Sequence, residues 1–412
     1  MKKILIASFD MEVGGVERSL ISMLENFDYS NYEVDLMLYR HQGDFMNLIP
    51  NQVNLLPEVP KYTTFRKSIS ELIKEKSFAI GAARLLAKGN ADMLGKLKNM
   101  TEPGYYQMQL MWRYAIPFLP ILEKQYDVAI SYLWPHDFVA KKVKAKKKVA
   151  WIHTDYSTVE TDIKMDLIVW NEFNYIVAVS EACKQSFIKK YPSLANKVLV
   201  IENITSPEFI RKMADEEINN PMVIDKRFKL VTVARLSHAK GIDNAVRALK
   251  LLKEKGYRDI AWYVVGYGGD EEMIKELIAE NELEDSFILL GKKLNPYPFI
   301  KQADLYVQPS RYEGKAVTVT EAMVLGKPIL ITDYSTASSQ IDNGMNGIIC
   351  DLSITGISDG IEKLYHNKQL REKIINNNLR KDHNNKFEIE KLYKKLHEHG
   401  QVLENFQAKG VI

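Results

Sequence analysis

The chain has 412 residues, beyond the length at which one hydrophobic core keeps growing, so two domains are expected. Hydrophobic residues at 46% and charged residues at 26% are ordinary for a globular protein and exclude a fibrous or disordered one. A net charge of +3 provides no global field for nucleic acid, and two cysteines, Cys183 and Cys350, exclude a disulfide framework and fit a reducing cytosol.

The chain opens Met1–Lys2–Lys3 and continues Ile4–Leu5–Ile6–Ala7, the outline of a signal peptide. Asp10 and Glu12 interrupt it too early for an apolar signal core, and no small-residue cleavage site follows, so a first strand over 3–8 is expected instead. Gly14–Gly15 then precede a helix in which Val16, Leu20, Met23, Leu24 and Phe27 recur at helical spacing, with Glu17, Arg18 and Glu25 on the other side. Further strands are expected at 33–38, 53–56, 127–132, 148–152, 175–179 and 198–201. Residues 62–111 break this rhythm. They are helical in composition and rich in Lys, Met and aromatic residues, and read as a helical insertion or lid.

The polar, proline-bearing stretch 205–225 reads as a linker, after which the same grammar returns. Strands are expected at 229–234, 261–265, 287–290, 305–308, 328–332 and 347–350. Ile242, Ala245, Val246, Leu249 and Leu252 mark a helix stopped by Gly256. Strands apolar on both faces and separated by helices predict parallel, doubly wound sheets, one in each half, with a cleft between their carboxyl edges. No run of about 18 apolar residues occurs, so no membrane-spanning helix is expected.

Candidate chemistry gathers at strand ends. Gly14 and Gly15 let backbone approach a ligand and open a helix N-terminus toward it; read blandly, they are a plain strand-to-helix turn. His153 closes the strand ending Trp151–Ile152, where it can bond a sugar or move a proton, or simply be satisfied by Asp155. Arg235 and Lys240 follow a strand and precede a helix; a planar fork and a point charge together can neutralise a diphosphate.

Glu313 sits in the polar loop Ser310–Arg311–Tyr312–Glu313–Gly314, and Glu321 lies eight positions on in an apolar helical pattern. The N–H groups of Ala316 and Val317 are expected to face an anion, and Glu321, flanked by Val319, Ala322 and Met323, needs donors such as ribose hydroxyls. Gly266–Tyr267–Gly268–Gly269 fails the dinucleotide fingerprint because Glu271 occupies the third glycine position, which disfavours hydride transfer. No Asp-x-Asp pair and no His or Cys cluster calls for a metal. Lys141, Lys142, Lys144, Lys146, Lys147 and Lys148 form a basic run read as a solvated loop beside the cleft, or as a contact with an anionic membrane, for which helices in 62–111 would supply the apolar half.

Taken in order, Gly14–Gly15–Val16–Glu17–Arg18, Trp151–Ile152–His153, Arg235 through Gly241, and the pair Glu313 and Glu321 make the chain similar to glycosyltransferase family 4. The likeness extends to bacterial cell-surface and capsular polysaccharide glycosyltransferases of that kind and covers most of the chain. It implies the GT-B fold, an α/β architecture of two Rossmann-like domains facing a central cleft, and transfer with retention of anomeric configuration. By this resemblance Arg235 and Lys240 bind the donor diphosphate, Glu321 holds the ribose, and Glu313 contacts the transferred sugar. Gly14 and Gly15 lie under the phosphates, His153 lies beside the sugar, and backbone near Lys293–Leu294 meets the nucleobase. Residues 1–205 become the acceptor-side domain with its insertion at 62–111, 206–384 the donor domain, and 385–412 a helix crossing back to the first domain. One departure stands out. Many members read Glu-Gly-Phe-Gly where this chain has Glu313–Gly314–Lys315–Ala316, which bears on sugar identity more than on reaction class.

The expectation is thus a retaining hexosyltransferase, working without metal or cofactor, that uses a nucleotide-diphosphate sugar, in the first instance a UDP-sugar. Its acceptor is a glycan, lipid-linked or protein hydroxyl, its place the cytoplasm or the inner membrane face, and nucleic acid is no partner. A GT-B-fold sugar-nucleotide epimerase and a non-catalytic two-domain sugar-binding protein are the alternatives.

Overall fold

The computed structural model describes residues 1–97, 100 and 103–397. Seven strands form the first sheet: β1 (Lys2–Ser8), β2 (Tyr32–Leu38), β3 (Asn54–Leu55), β4 (Leu122–Ser131), β5 (Val143–Ile152), β6 (Tyr175–Ala178) and β7 (Val198–Val200). Six form the second: β8 (Phe228–Val233), β9 (Ile260–Val265), β10 (Phe287–Gly291), β11 (Leu305–Gln308), β12 (Ile329–Thr332) and β13 (Ile348–Cys350). Their orders are β3-β2-β1-β4-β5-β6-β7 and β10-β9-β8-β11-β12-β13, each winding outward from a central strand in both directions. The paired strands run parallel, with registers such as Ile4 opposite Val34 and Val128, and Val231 opposite Tyr263. Helices must therefore cover both faces, and runs such as Ile260–Val265 are buried along their whole length. Both sheets turn their carboxyl edges to the groove between the domains, the switch-point geometry in which such folds hold ligands.

Between β3 and β4 the chain forms the helices Pro60–Thr63, Ile69–Lys74, Phe78–Leu97 and Pro103–Ala115. Tyr62, Phe65, Ala87 and Trp112 from this segment belong to the first core, so the insertion is packed down rather than appended. The stretch expected as a linker contains the helix Pro207–Ala214, whose Ile210 and Ala214 pack into the second domain.

The helix Glu388–His397 returns to the first core through Ile389, Leu392, Tyr393 and Leu396, with Tyr393 stacked on Tyr32 at 4.9 Å. The remainder of the expected crossing helix, 398–412, lies outside the described residues. Asn385 ties the two interdomain crossings together: its amide donates to Asn203 O at 2.9 Å, and its oxygen accepts from Thr205 N–H at 2.8 Å.

The lysine run is not a loop beside the cleft. It occupies the end of the helix Asp137–Lys142 and the amino half of β5, and Lys144 lies eight residues, roughly 26 Å, from Ile152 at the strand's carboxyl end. Its cations have partners: Lys141 with Glu172 at 2.6 Å, Lys146 with Asp127 at 2.7 Å, Lys147 with Lys395 O at 3.0 Å and Lys148 with Ala140 O at 2.7 Å. Residues 143–148 pair with β4 while pairing with β6 begins only at Val149, so this extension has an open edge of the kind charged side chains guard.

Candidate active site

The carboxyl edges of the two sheets enclose a cavity of about 340 Å³. From the first domain it receives Gly14 and Gly15 after β1, Arg18 one turn into the helix Gly15–Glu25, and His153 after β5. From the second it receives Arg235 after β8, Lys240, Glu313, Ala316, Val317 and Glu321. Leu294 is not in this lining: its side chain is 52% exposed, and its carbonyl accepts from Arg18 Nη2 at 3.2 Å.

Glycine is required at two of the junctions. Gly241 caps the turn His238–Lys240 in the left-handed region at φ 63°, and a Cβ there would stand 2.1 Å from Pro309 O, so only glycine brings Lys240 beside the Glu313 loop. A Cβ on Gly314 would stand 2.2 Å from His153 O, so the loop and the β5 terminus meet backbone to backbone across the domain boundary.

One end of the cavity is cationic. Lys240 Nζ donates to both oxygens of Glu313, at 2.7 and 2.6 Å. Glu313 is 7% exposed and also accepts from Ser310 Oγ at 2.7 Å and Gln308 Nε2 at 3.1 Å, so its position is fixed. Arg235 reaches only to 3.9 Å from Glu17 Oε1 across the boundary, beside Gly14. Lys292 donates to Glu12 at 2.5 Å and Asp44 at 2.7 Å and lies over the Tyr267 ring. Burial alone would lower the Lys292 ammonium's pKa, but these two carboxylates hold it above its ordinary value.

The other end is dry. Glu321 is 2% exposed, and its Oε1 accepts from Tyr297 OH at 2.9 Å and lies 3.4 Å from Arg18 Nε. Arg18 also donates from Nη1 to Tyr297 OH at 2.7 Å, with its guanidinium 4.9 Å from the Phe45 ring and 5.0 Å from the Tyr297 ring. Burial pushes the Glu321 carboxyl above its ordinary value, against the pull of Arg18 and Tyr297. Its second oxygen, Oε2, is buried with no partner among the described residues. A buried carboxylate oxygen without a donor is costly, and the Glu321 residue lines the cavity.

Burial drives the His153 pKa down to about 4, so the ring is neutral at pH 7. Its Nε2 lies 2.9 Å from Tyr132 O. A carbonyl only accepts, so Nε2 carries the proton and Nδ1 is left as the acceptor.

Two sequence expectations change, and a third residue finds a partner. The Ala316 N–H donates to Gln340 Oε1 at 3.2 Å, and Gln340 Nε2 returns a bond to Ala316 O at 2.6 Å, so that amide is already engaged. Glu17 and Arg18 do not form an outer polar face: Glu17 is 4% exposed and Arg18 crosses to the second domain. Lys315 lines the cavity but pairs with Glu202 at 2.5 Å. Tyr297, Lys292 and Gln340 were not singled out by sequence reasoning, since each arrives from a neighbouring element whose local pattern is unremarked. Arg18 stood inside a quoted motif without a role. Among the described residues no group of three or more His, Cys, Asp or Glu gathers as a metal site.

Two parallel-sheet domains with charged strand ends facing one cavity form a ligand-binding crevice of the kind found at the switch points of nucleotide-binding folds. Residues 214–381 match the family described as glycosyl transferases group 1. An uncharacterized glycosyltransferase of Methanocaldococcus jannaschii is 30% identical over 292 residues, 63% of this chain and 71% of that relative. The capsular polysaccharide biosynthesis glycosyltransferase CapM of Staphylococcus aureus is 27% identical over 232 residues, 54% of this chain and 60% of CapM. Among solved structures, S. aureus TarM, crystallised with fondaparinux, α-GlcNAc-glycerol and UDP, superposes with a TM-score of 0.68 at 15% identity, covering 97% of this chain and 100% of TarM. Anabaena HepE with UDP and glucose gives 0.63 at 19% identity, covering 92% and 94%. The architecture is therefore GT-B, and the chain belongs to the glycosyltransferases, with residues 214–381 matching the group 1 family.

Proposed function

We propose that this glycosyltransferase belongs to the retaining family 4 and moves a hexose from a UDP-sugar to an acceptor hydroxyl in cell-surface glycan synthesis. The observation that carries the reading is Glu321, a buried carboxylate with one oxygen held and one oxygen lacking a donor, in the same cavity as Arg235 and Lys240. A ribose hydroxyl supplies the donor that Oε2 lacks, and the diphosphate lies toward the two cations. The nucleotide and sugar named with HepE and TarM support this assignment by fold kinship.

In this reading Lys240 exchanges Glu313 for a phosphate oxygen as the donor enters, which frees Glu313 to face the transferred sugar. Arg235 and Lys240 then stabilise the leaving diphosphate electrostatically, with no divalent ion invoked. The C–O bond between anomeric carbon and diphosphate breaks as the acceptor hydroxyl attacks from the same face; its proton passes to the departing phosphate oxygen. His153, neutral and with Nδ1 as acceptor, orients a sugar hydroxyl. Gly14 and Gly15 bring backbone beneath the phosphates, and Val317 opens the helix above them. Closing the domains excludes water and limits hydrolysis.

Membrane contact at the cytoplasmic face is assigned to the helix Phe78–Leu97 rather than the lysine run, because Phe78, Leu85, Leu86, Met93 and Leu97 stand exposed on it. Among the described residues no helix is long and apolar enough to cross a membrane. Unchanged recovery of the double variant Leu85→Glu with Leu86→Glu in a vesicle flotation assay would remove this contact.

A thermal-shift panel of nucleotide sugars tests the donor: UDP and a UDP-sugar raise the melting temperature by mass action. A shift with another nucleotide and none with UDP refutes the donor class. An inverted anomeric coupling in the product NMR spectrum refutes retention, and a new epimer formed without acceptor would favour the epimerase instead.

A further inference from the structure

Arg18 belongs to the first domain, but its side chain ends in the second. One turn into the helix Gly15–Glu25, its backbone N–H closes the turn on Gly14 O at 3.0 Å. Its guanidinium then meets three second-domain groups. Nη1 donates to Tyr297 OH at 2.7 Å, Nη2 donates to Leu294 O at 3.2 Å, and Nε lies 3.4 Å from Glu321 Oε1. Tyr297 OH also donates to Glu321 Oε1 at 2.9 Å, so the contacts close into one network.

The three groups sit on separate elements. Leu294 lies in the loop after β10, Tyr297 starts the helix Tyr297–Gln302, and Glu321 lies in the helix Val317–Val324. A guanidinium can engage all three because its N–H donors fork from one rigid plane. An ammonium carries its donors on a single atom and cannot span them. Other ties between the domains are simpler: Lys315 meets Glu202, and Ser335 donates to Asp155.

The elements Arg18 joins share one task in the donor reading. There Glu321 meets the ribose, and the family resemblance sets the backbone near Lys293–Leu294 against the nucleobase. A residue that only braced the domains would act through its charge, so stability and nucleotide affinity would be lost together. A residue that sets the relative position of two ligand-holding elements needs its fork as well.

We infer that Arg18 is a positioning residue for the donor nucleoside, a first-domain side chain that fixes Glu321 and the Leu294 backbone. The nucleoside subsite thus takes its shape from both domains. The inference rests on reading the cleft as a UDP-sugar site.

Isothermal titration with UDP, alongside urea unfolding of the same samples, tests it. The wild type binds UDP. Arg18→Lys keeps a cation beside Glu321 and loses far less stability than Arg18→Met, yet its UDP Kd rises by at least about fivefold. Should Arg18→Met fail to fold, the folded Arg18→Lys still decides. Ser335→Ala cuts a contact between the domains elsewhere and leaves the UDP Kd within about twofold of the wild type. A smaller rise in Arg18→Lys, an equal rise in Ser335→Ala, or stability lost along with affinity in Arg18→Lys each overturns the inference and leaves the donor reading standing. No UDP binding by the wild type overturns the donor reading and the inference with it.

Discussion

The two ends of the cleft handle charge in opposite ways. At the cationic end Arg235 and Lys240 keep 52% and 25% of their side chains exposed, and Arg235 stands 3.9 Å from its carboxylate. At the dry end Arg18 and Glu321 keep 13% and 2%, held by the Tyr297 hydroxyl and by the Phe45 and Tyr297 rings. Half-solvated ions trade partners at little cost, whereas a dry pair keeps its geometry because losing either member strands a charge. One end is organised for exchange and the other for shape.

The largest expected effect would break the dry end. Arg18→Met leaves Glu321 buried without its cation and should cost about 3–5 kcal/mol, read from urea unfolding midpoints. Recovery of most of that loss in Arg18→Met with Glu321→Met would show the cost to be stranded charge; no recovery would point to packing. Next, Lys240→Ala and Arg235→Ala should each lower kcat/KM by about 10²–10³-fold, the scale for one preorganised group facing developing negative charge. A loss under about threefold in steady-state kinetics would take that cation off the diphosphate.

Glu321→Ala should raise the nucleotide Kd by roughly tenfold to a hundredfold in calorimetry. An unaltered Kd would detach the carboxylate from the ribose. A smaller effect concerns Asp137, which burial lifts to about 7 from 3.8. The folded chain keeps a proton there that the unfolded chain releases above about pH 4, so its contribution to stability falls as pH rises from about 4 to about 7. Asp137→Asn should therefore gain on the wild type across that window, by about 1–2 kcal/mol after discounting for partial exposure. Parallel stability curves from pH 4 to 8 would contradict this. Smallest of all, Lys315→Ala should cost under about 1 kcal/mol and leave the donor KM near its original value, since its ion pair with Glu202 is partly solvated.

Most strands among the described residues were legible because parallel strands buried on both faces carry apolar runs, as in Ile260–Val265, and glycines or caps mark where they end. Arg235, Lys240, Glu313 and Glu321 were legible for a related reason: each follows a strand end, so local order predicts which edge of the sheet it reaches. Tyr297 could not be found that way. It lies in a short helix after β10, and its value comes from a partner 279 residues earlier, Arg18. The lysine run misled because charge on the open-edged part of β5 conceals strand spacing beneath what looks like a solvated loop.

The amide of Asn385, clipped to both chain crossings, makes that point a pivot. A body swinging about a pivot moves in proportion to its lever arm. The neighbouring Lys315–Glu202 pair, which shares a pocket with Asn385, should hardly part, while Lys292 with Glu12 and Asp44 should separate furthest. Spin-label distances at those two places, with and without nucleotide, would read the gradient directly; equal displacement at both would mean the halves slide rather than swing.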